Sequence, residues 1–324
     1  MPPHTDEELA NALSDPDATR RQLALIARAD DVGVEDLAAL MAAAGDADPT
    51  VRRLAVGLLE ELGDPRGLPA VVCALADPDP GVREAAQSAV REFRGETAVA
   101  FLVEATSHAN PEVREWAVIG LRELRDGKAT GALLSALTDL VPAVRRAAVV
   151  SLAYLRNPET TSPLIRRLED DDAGVRRLAV AALARASSPE SITPHIVPRL
   201  SDESWQVRAE VAMALGNSRA VDSVAPLVGA LNDDHWQVVK AAVGALEALG
   251  AQDAVRHLLP LLADRAPDVR RAAAQALGEL RAEVARPGLA ALLVGDGDVE
   301  VRKAASRALE RLGKATLVGP SAPP

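Results

Sequence analysis

Aromatic side chains and cysteines are scarce in this sequence. Only 2% of the 324 residues are aromatic, and Cys73 is the single cysteine. Aromatic rings usually supply much of the bulk of a large globular core, whereas the apolar residues here are mainly Ala, Leu and Val. Small side chains of this kind suit closely packed helices and indicate an all-α fold. The lone cysteine excludes an internal disulfide and a thiolate metal site, and we expect it to lie in the core.

Long apolar runs and an excess of positive charge are also absent. No segment approaches the roughly 18 consecutive apolar residues of a membrane helix, and the N-terminal sequence MPPHTDEEL lacks the basic start of a signal peptide. The formal net charge is −11, which argues against a surface that holds nucleic-acid phosphates. These features predict a cytoplasmic protein that uses neither a membrane nor a nucleic acid as its partner. We also expect the protein to be monomeric.

The motifs of catalysis and cofactor binding are missing as well. The five histidines lie in different segments, so that no two share a helical turn, whereas metal ligands must converge on one point. The sequence contains no glycine-rich phosphate loop, no serine nucleophile elbow and no Cys–His pair. We therefore expect a protein that is not an enzyme and that carries no metal and no cofactor.

The sequence does contain an internal repeat, most visible where WQV occurs at Trp205 and again at Trp236. One valine marks each copy, at a spacing of 31 or 32 residues, and Arg20 takes its place in the first copy. The marking valines are Val51, Val82, Val113, Val144, Val175, Val207, Val238, Val269 and Val301. Apolar residues four, seven and eight positions later form the stripe of an amphipathic helix. A shorter apolar run before each valine predicts a first helix of eight to ten residues.

These copies resemble the HEAT-like repeats of the phycobilisome-lyase type: an Asp, four residues, Val-Arg and then AAxxAL. The resemblance implies a right-handed α-solenoid of about ten stacked helix pairs, in which each repeat is stabilised by its neighbours. It covers residues 1–313 as one domain, and we expect residues 314–324 to form a disordered tail. Some HEAT-like proteins hold a di-iron centre on paired His-Glu motifs, and this chain has no His-Glu dipeptide.

The end repeats depart from this pattern. Arg20 and Arg28 replace apolar residues in the first copy, as expected for a capping repeat that faces water. The sequence TDEE predicts a capping box from Thr5 to Glu8 at the first helix.

Two charged rows accompany the valines. An Asp stands five residues before the valine slot in nine repeats, and an Arg follows the slot directly in nine. Such rows could be acid–base sites, but we favour a structural ladder, in which each Asp caps its helix and an Arg of its own or the next repeat bridges it. Accordingly, we expect an Arg208→Ala variant to leave Asp202 unpaired. His108 replaces one acid, and Val239 replaces one arginine.

A candidate binding surface follows from the helical wheel. The face opposite the core lies at offsets +2, +6 and +9 from the valine slot, which the resemblance places on the concave side of the solenoid. This face combines an apolar floor, a basic rim and two tryptophans. The candidate partner-binding residues are Ile119, Arg146, Val150, Arg177, Trp205, Met213, Trp236, Lys240 and Arg271.

These residues favour a non-catalytic scaffold or adaptor that binds a protein or an acidic amphipathic peptide. Two purely structural interpretations stay open. In the first, the charged residues only form solvated helix faces, and in the second, each Trp ring covers the loop of a neighbouring repeat. The resemblance also implies an alternative function, that of a lyase-like or chaperone-like accessory factor for a cofactor-bearing protein. A third function, DNA-lesion binding, has only the basic row from Arg146 to Lys303 in its favour.

Overall fold

The computed structural model describes residues 6–155, 157–186 and 188–315. Within these ranges the chain forms ten pairs of α-helices and no strand, which confirms the predicted all-α fold. The first helices of the pairs are α1 (Asp6–Leu13), α3 (Leu37–Ala43), α5 (Leu68–Ala74), α7 (Glu96–Ala105), α9 (Thr130–Ala136), α11 (Thr161–Arg166), α13 (Pro189–Ile196), α15 (Val224–Ala230), α17 (Val255–Leu258) and α19 (Arg286–Gly295). The second helices are α2 (Ala18–Arg28), α4 (Pro49–Leu62), α6 (Pro80–Ala89), α8 (Pro111–Leu124), α10 (Pro142–Leu155), α12 (Ala173–Ala186), α14 (Trp205–Asn217), α16 (Trp236–Ala248), α18 (Pro267–Glu279) and α20 (Val299–Ala315).

Several first helices are shorter than the eight to ten residues predicted, because 3₁₀ turns replace part of them. The 3₁₀ turns are Ala29–Asp31, Val34–Asp36, Pro65–Gly67, Gly127–Ala129, Pro158–Thr160, Arg167–Glu169, Val197–Ser201, Val221–Ser223, Gln252–Ala254, Leu259–Ala263 and Glu283–Ala285. Helix α17 is the shortest and continues directly into such a turn. Pro260 explains this change, since it has no amide hydrogen for an α-helical bond.

The contacts divide the chain into an N-terminal half, residues 1–160, and a C-terminal half, residues 161–324. Each half contains five helix pairs. The cores are built from the predicted rows: the marking valines are at most 1% exposed, and the alanines or valines four residues later are fully buried. Cys73, however, is exposed on α5, which corrects the expectation that it lies in the core. Helix α5 turns Val71 and Ala74 inward, and a residue two positions after Val71 points to the other side.

The charged rows form the predicted ladder, but the pairing runs between repeats in one direction. In six pairs, the Nε and Nη2 of the arginine donate to the two carboxylate oxygens of the Asp in the following repeat, at 2.6 to 2.9 Å. The pairs are Arg21–Asp46, Arg52–Asp77 and Arg114–Asp139 in the N-terminal half, and Arg176–Asp202, Arg208–Asp233 and Arg270–Asp296 in the C-terminal half. The third nitrogen, Nη1, donates to carbonyls in the loop of its own repeat. Each arginine therefore joins two loops.

This register corrects two sequence expectations. The partner of Asp202 is Arg176 of the preceding repeat, and loss of Arg208 would instead unpair Asp233. The ladder Asp also does not cap the helix. Its Oδ1 accepts the N–H two residues later, as Asp46 does from Asp48, and Asp48 then caps α4 by accepting from the N–H groups of Thr50 and Val51.

The two ends differ from the sequence expectation in detail. Arg28 is buried and donates through Nε at 2.7 Å to Asp36, which directly precedes α3, so it forms an internal ion pair between the first and second repeats rather than an exposed cap. At the other end, α20 runs to Ala315 and so includes the first two residues of the expected tail. Thr5 and residues 316–324 lie outside the described residues.

Candidate partner-binding groove

A groove of about 570 Å³ lies in the C-terminal half between α14 and α16, the second helices of two consecutive repeats. We call it the Trp groove. It is lined by Trp205, Ala209, Met213, Gly216, Asn217, Trp236, Gln237, Lys240, Ala241, Gly244, Ala245 and Ala248. The groove exists because most of these side chains are small, and Gly244 at offset +6 has no atom within 4 Å of the place where a Cβ would stand.

The tryptophans stand at the first helical position of α14 and α16, where other repeats have proline. The ring of Trp205 stacks on His235 in the next loop, with ring centroids 5.8 Å apart and an interplanar angle of 15°. Trp236 is 39% exposed and Met213 is 45% exposed. Trp205 thus covers a neighbouring loop and also lines the groove, whereas Trp236 is the more accessible ring.

The charges at the edge of the groove are partly neutralised within the protein. The Nζ of Lys240 lies 5.6 Å from the centroid of the Trp236 ring and donates to Asp268 Oδ1 at 3.1 Å. Arg271 donates to the same oxygen at 2.6 Å. Two cations therefore share one carboxylate, which leaves a formal charge of +1 on this cluster. The rim is less basic than the row of Arg and Lys residues predicts.

Arg177 does not line the Trp groove. It is exposed on α12, and its Nη1 lies 3.6 Å from Oε2 of Glu210 on α14. Burial raises the pKa of Glu210 above its ordinary value, although the neighbouring Arg177 and Arg185 act in the opposite direction. The Arg177–Glu210 pair therefore adds little net positive charge to this face.

Gly216 has a different role from the open floor predicted for offset +9. A Cβ at Gly216 would lie 2.7 Å from the Cα of Ala245 and 2.9 Å from its Cβ. The glycine is buried and lets α14 and α16 approach closely. Gly278 makes the same approach to Ala308, between α18 and α20. The small residues at these two positions therefore allow close helix packing, although Gly216 also borders the Trp groove.

The structure thus brings together four of the nine predicted residues, Trp205, Met213, Trp236 and Lys240, with Arg271 joined to them through Asp268. The remaining residues Ile119, Arg146 and Val150 belong to the N-terminal half, where each is half-buried on α8 or α10. Their participation in a common binding surface with the tryptophans stays a prediction.

Sequence reasoning missed a second groove, of about 670 Å³, in the N-terminal half. Leu25 and Ile26 of α2, Leu54, Gly57 and Leu58 of α4, and Gly81, Ala85 and Ser88 of α6 form much of its lining. The signal was present in the sequence: Gly57 stands at offset +6, the same offset as Gly244, and it too has open space around its Cβ position.

Consecutive helix pairs that share one sequence pattern, with Arg–Asp rungs between neighbouring repeats within each half, define an α-solenoid, the class of repeat protein predicted above. The family model of HEAT repeats matches residues 7–91, 37–122, 73–140, 130–194, 193–266 and 255–321. The chain therefore belongs to the HEAT-repeat family. No curated protein matches the sequence significantly.

Solved structures with the same fold include an engineered protein, with 21% identity, a TM-score of 0.51 and coverage of 96% of this chain and 99% of that one. Escherichia coli YibA is 20% identical, with a TM-score of 0.62 and coverage of 83% and 98%. Yeast importin-β, Kap95p, is 16% identical, with a TM-score of 0.63. That match covers 95% of this chain but only 49% of Kap95p, so the chain spans about half the length of importin-β.

Among the helices in the described ranges, none is both long and apolar enough to cross a lipid bilayer. The phycobilisome-lyase type of the repeats and the cytoplasmic location stay predictions.

Proposed function

We propose that the protein is a non-catalytic scaffold or adaptor and that the Trp groove is its site for a protein partner. The observation that carries this proposal is the combination of an open apolar groove with two accessible large side chains, Trp236 and Met213, on a HEAT-repeat solenoid. Exposed apolar grooves of this kind mark interaction sites, and tryptophans are frequent hot spots in interfaces. Kap95, which shares the fold, has been solved in complex with Nup1.

The occupant that suits the groove is an amphipathic segment of a partner protein. The floor of Ala209, Ala241 and Gly244 has room for bulky apolar side chains, because it contributes no side chain larger than a methyl group. The only charged residue in the lining is Lys240, within a cluster of net charge +1. An acidic residue beside the apolar anchor of the partner would therefore be favoured, and it would act mainly on the rate of association.

The proposal is tested with Trp236→Ala and with Gly244→Leu, which fills the groove from its floor. A partner recovered by affinity purification with the wild-type chain is identified by mass spectrometry, purified and titrated against each variant. We expect Trp236→Ala to weaken binding by about 2 kcal/mol, as for a hot-spot residue, and Gly244→Leu to abolish it. Val284→Ala, which removes another exposed apolar side chain of the same half, is the control.

The melting temperature of each variant separates binding from folding. Trp236 lies at a helix start and is partly exposed, so its removal should leave the melting temperature within a few degrees of the wild type. If Trp236→Ala and Gly244→Leu bind the partner as well as Val284→Ala does, the groove is not the docking site. If Trp236→Ala instead unfolds early and binds normally, the ring is structural.

A further inference from the structure

The ladder has one position in the N-terminal half where an arginine lacks the acid that the other rungs provide. Arg83 of α6 stands in the arginine row, and the following repeat carries His108 in the place of the Asp. In the other rungs of this half that the structure describes, Arg21, Arg52 and Arg114 each donate two hydrogen bonds to one carboxylate. The repeats themselves therefore show which chemical group fits this place.

The guanidinium of Arg83 is held as in the complete rungs. Its Nη1 donates to the carbonyls of Asp77 at 2.7 Å and Pro78 at 3.0 Å, which matches the two bonds of Arg52 to its own loop. The edge formed by Nε and Nη2 makes no hydrogen bond to any described residue. The nearest carboxylate is that of Glu112, with Oε2 3.9 Å from Nε, and its side chain is 58% exposed.

His108 replaces one function of the missing Asp but not the other. Its Nδ1 accepts the N–H of Asn110 at 3.1 Å, as the ladder Asp accepts the N–H two residues later. The loop geometry is thereby kept. An imidazole that accepts through Nδ1 cannot offer two oxygens to a guanidinium, and Arg83 donates no hydrogen bond to it. His108 is exposed, so the open edge of Arg83 is accessible from solvent.

We propose that the open edge of Arg83, beside His108, is a binding site for an external carboxylate, supplied by an Asp or Glu side chain of a partner protein. The carboxylate would complete the rung with the paired geometry found at Arg52 and Arg114. The proposed carboxylate site uses no residue of the Trp groove, so this inference and the proposed function can fail separately. Glu112 is a weak internal competitor for the same edge, because it reaches only to 3.9 Å.

The experiment follows the Nε–H signals of arginines by NMR in the full chain at pH 7.5, during titration with sodium acetate at constant ionic strength. Arg94 is the control for an exposed arginine, since its side chain is 58% exposed, and Arg114 is the control for a complete rung. We expect the Arg83 signal to shift and saturate at an acetate concentration at least about threefold lower than that for Arg94. The Arg114 signal should stay in place, because Asp139 already fills its edge.

Two variants make the test specific. His108→Asp supplies the internal carboxylate and should abolish the acetate response of Arg83, while Glu112→Gln should strengthen it by removing the competitor. A parallel titration with inorganic phosphate distinguishes a carboxylate site from a general anion site. The proposal is overturned if Arg83 responds no more strongly than Arg94, if His108→Asp responds like the wild type, or if phosphate saturates the signal at a lower concentration than acetate.

Discussion

The two grooves, one in each half, are built on the same repeat position but have different walls. Gly57 on α4 and Gly244 on α16 both stand at offset +6, and both leave open space above the helix. At offset −2 the helices α4 and α6 beside the N-terminal groove begin with Pro49 and Pro80, which do not line it, whereas Trp205 and Trp236 line the Trp groove. Proline suits the first turn of a helix because its missing N–H would have no partner there. A tryptophan at the same place adds a large ring.

This difference separates two properties of a repeat protein. The shared helical pattern decides where a groove can open, because a glycine at offset +6 removes the side chain from that face. The residue at offset −2 decides whether the groove has aromatic walls, and tryptophans are frequent hot spots in interfaces. If the proposed function holds, the choice at these few positions would change binding while the core rows and the ladder stay the same.

The ladder differs between the halves in a complementary way. In the N-terminal half, Arg83 lacks the acid of the following repeat, because His108 stands in its place. In the C-terminal half, Asp264 lacks the arginine of the preceding repeat, because Val239 stands in its place. One rung of the C-terminal half is also more buried than the other complete rungs. The side chains of Arg176 and Asp202 are 6% and 3% exposed, compared with 13% and 9% for Arg52 and Asp77 and 14% and 10% for Arg208 and Asp233.

The largest effect is expected where the ladder is most buried. Arg176→Ala would leave the Asp202 carboxylate buried without its guanidinium and should lower the free energy of unfolding by about 3 kcal/mol. Arg52→Ala, in the less buried rung, should cost about 1–2 kcal/mol. Urea unfolding of both variants measures the difference. Equal losses in the two variants would show that burial does not distinguish the rungs.

The ladder also predicts how stability depends on pH. The hydrogen-bonded guanidinium of Arg52 lowers the pKa of Asp77 below its ordinary 3.8, and Arg114 does the same for Asp139. A carboxyl group whose pKa is lower in the folded state stabilises the fold above the unfolded pKa, and this contribution disappears as the pH falls through the folded value. Melting temperatures should therefore fall steeply below about pH 4.

The Arg52→Ala variant is the matched control for this pH series. It has already lost the contribution of one rung at neutral pH, so the gap between variant and wild type should narrow as the pH falls. A gap that stays constant from pH 7 to pH 3 would mean that the ion pair does not couple folding to proton binding at Asp77.

Alanine substitutions at Gly216, in the contact between two helices, and at Gly57, in the N-terminal groove, should change the free energy of unfolding in opposite directions. Gly216→Ala places a methyl group against the backbone of Ala245, so α14 and α16 must separate, at a cost of about 1–3 kcal/mol. Gly57→Ala meets no atom within 4 Å, and it should stabilise α4 by about 0.5–1 kcal/mol through higher helix propensity. Thermal melts decide both; a stabilised Gly216→Ala variant would contradict the close helix contact.

Helical arithmetic was sufficient to place Trp205, Met213, Trp236 and Lys240 on one surface, because they are separated by whole turns or by one repeat. It could not determine that Arg176, rather than Arg208, pairs with Asp202. Arg176 and Arg208 occupy equivalent places in consecutive repeats, and only the register between neighbouring loops determines which of them pairs with Asp202. The acid Asp268, which partly neutralises the rim, was missed for a similar reason, since it belongs to the next repeat.

Small residues were the other source of error. A sequence does not distinguish an exposed small residue from a buried one, so the helical wheel places offset +9 on the open face, although at this offset in α14 Ala245 covers Gly216. The distance between two helices depends on the side chains of both, and a repeat pattern taken from one helix at a time does not contain it. Gly57 is missed for a different reason: a glycine adds no apolar side chain, so its position at offset +6 is the signal for an open groove.

The smallest effect is expected at the rung that lacks its arginine. Val239 is 4% exposed, and the Asp264 side chain accepts the N–H of Ala266 but forms no ion pair within the described residues. In Val239→Arg the guanidinium can reach Asp264 as Arg208 reaches Asp233, at the expense of buried apolar contacts. The gain from the new ion pair opposes the loss of the buried apolar contacts, so we expect the free energy of unfolding to be unchanged or to rise by up to about 1 kcal/mol. A double-mutant cycle with Asp264→Asn isolates the new pair: any gain from Val239→Arg should vanish when Asp264 is replaced. A Val239→Arg variant that melts well below the wild type, with or without Asp264, would instead mean that the valine is needed for packing between its two repeats.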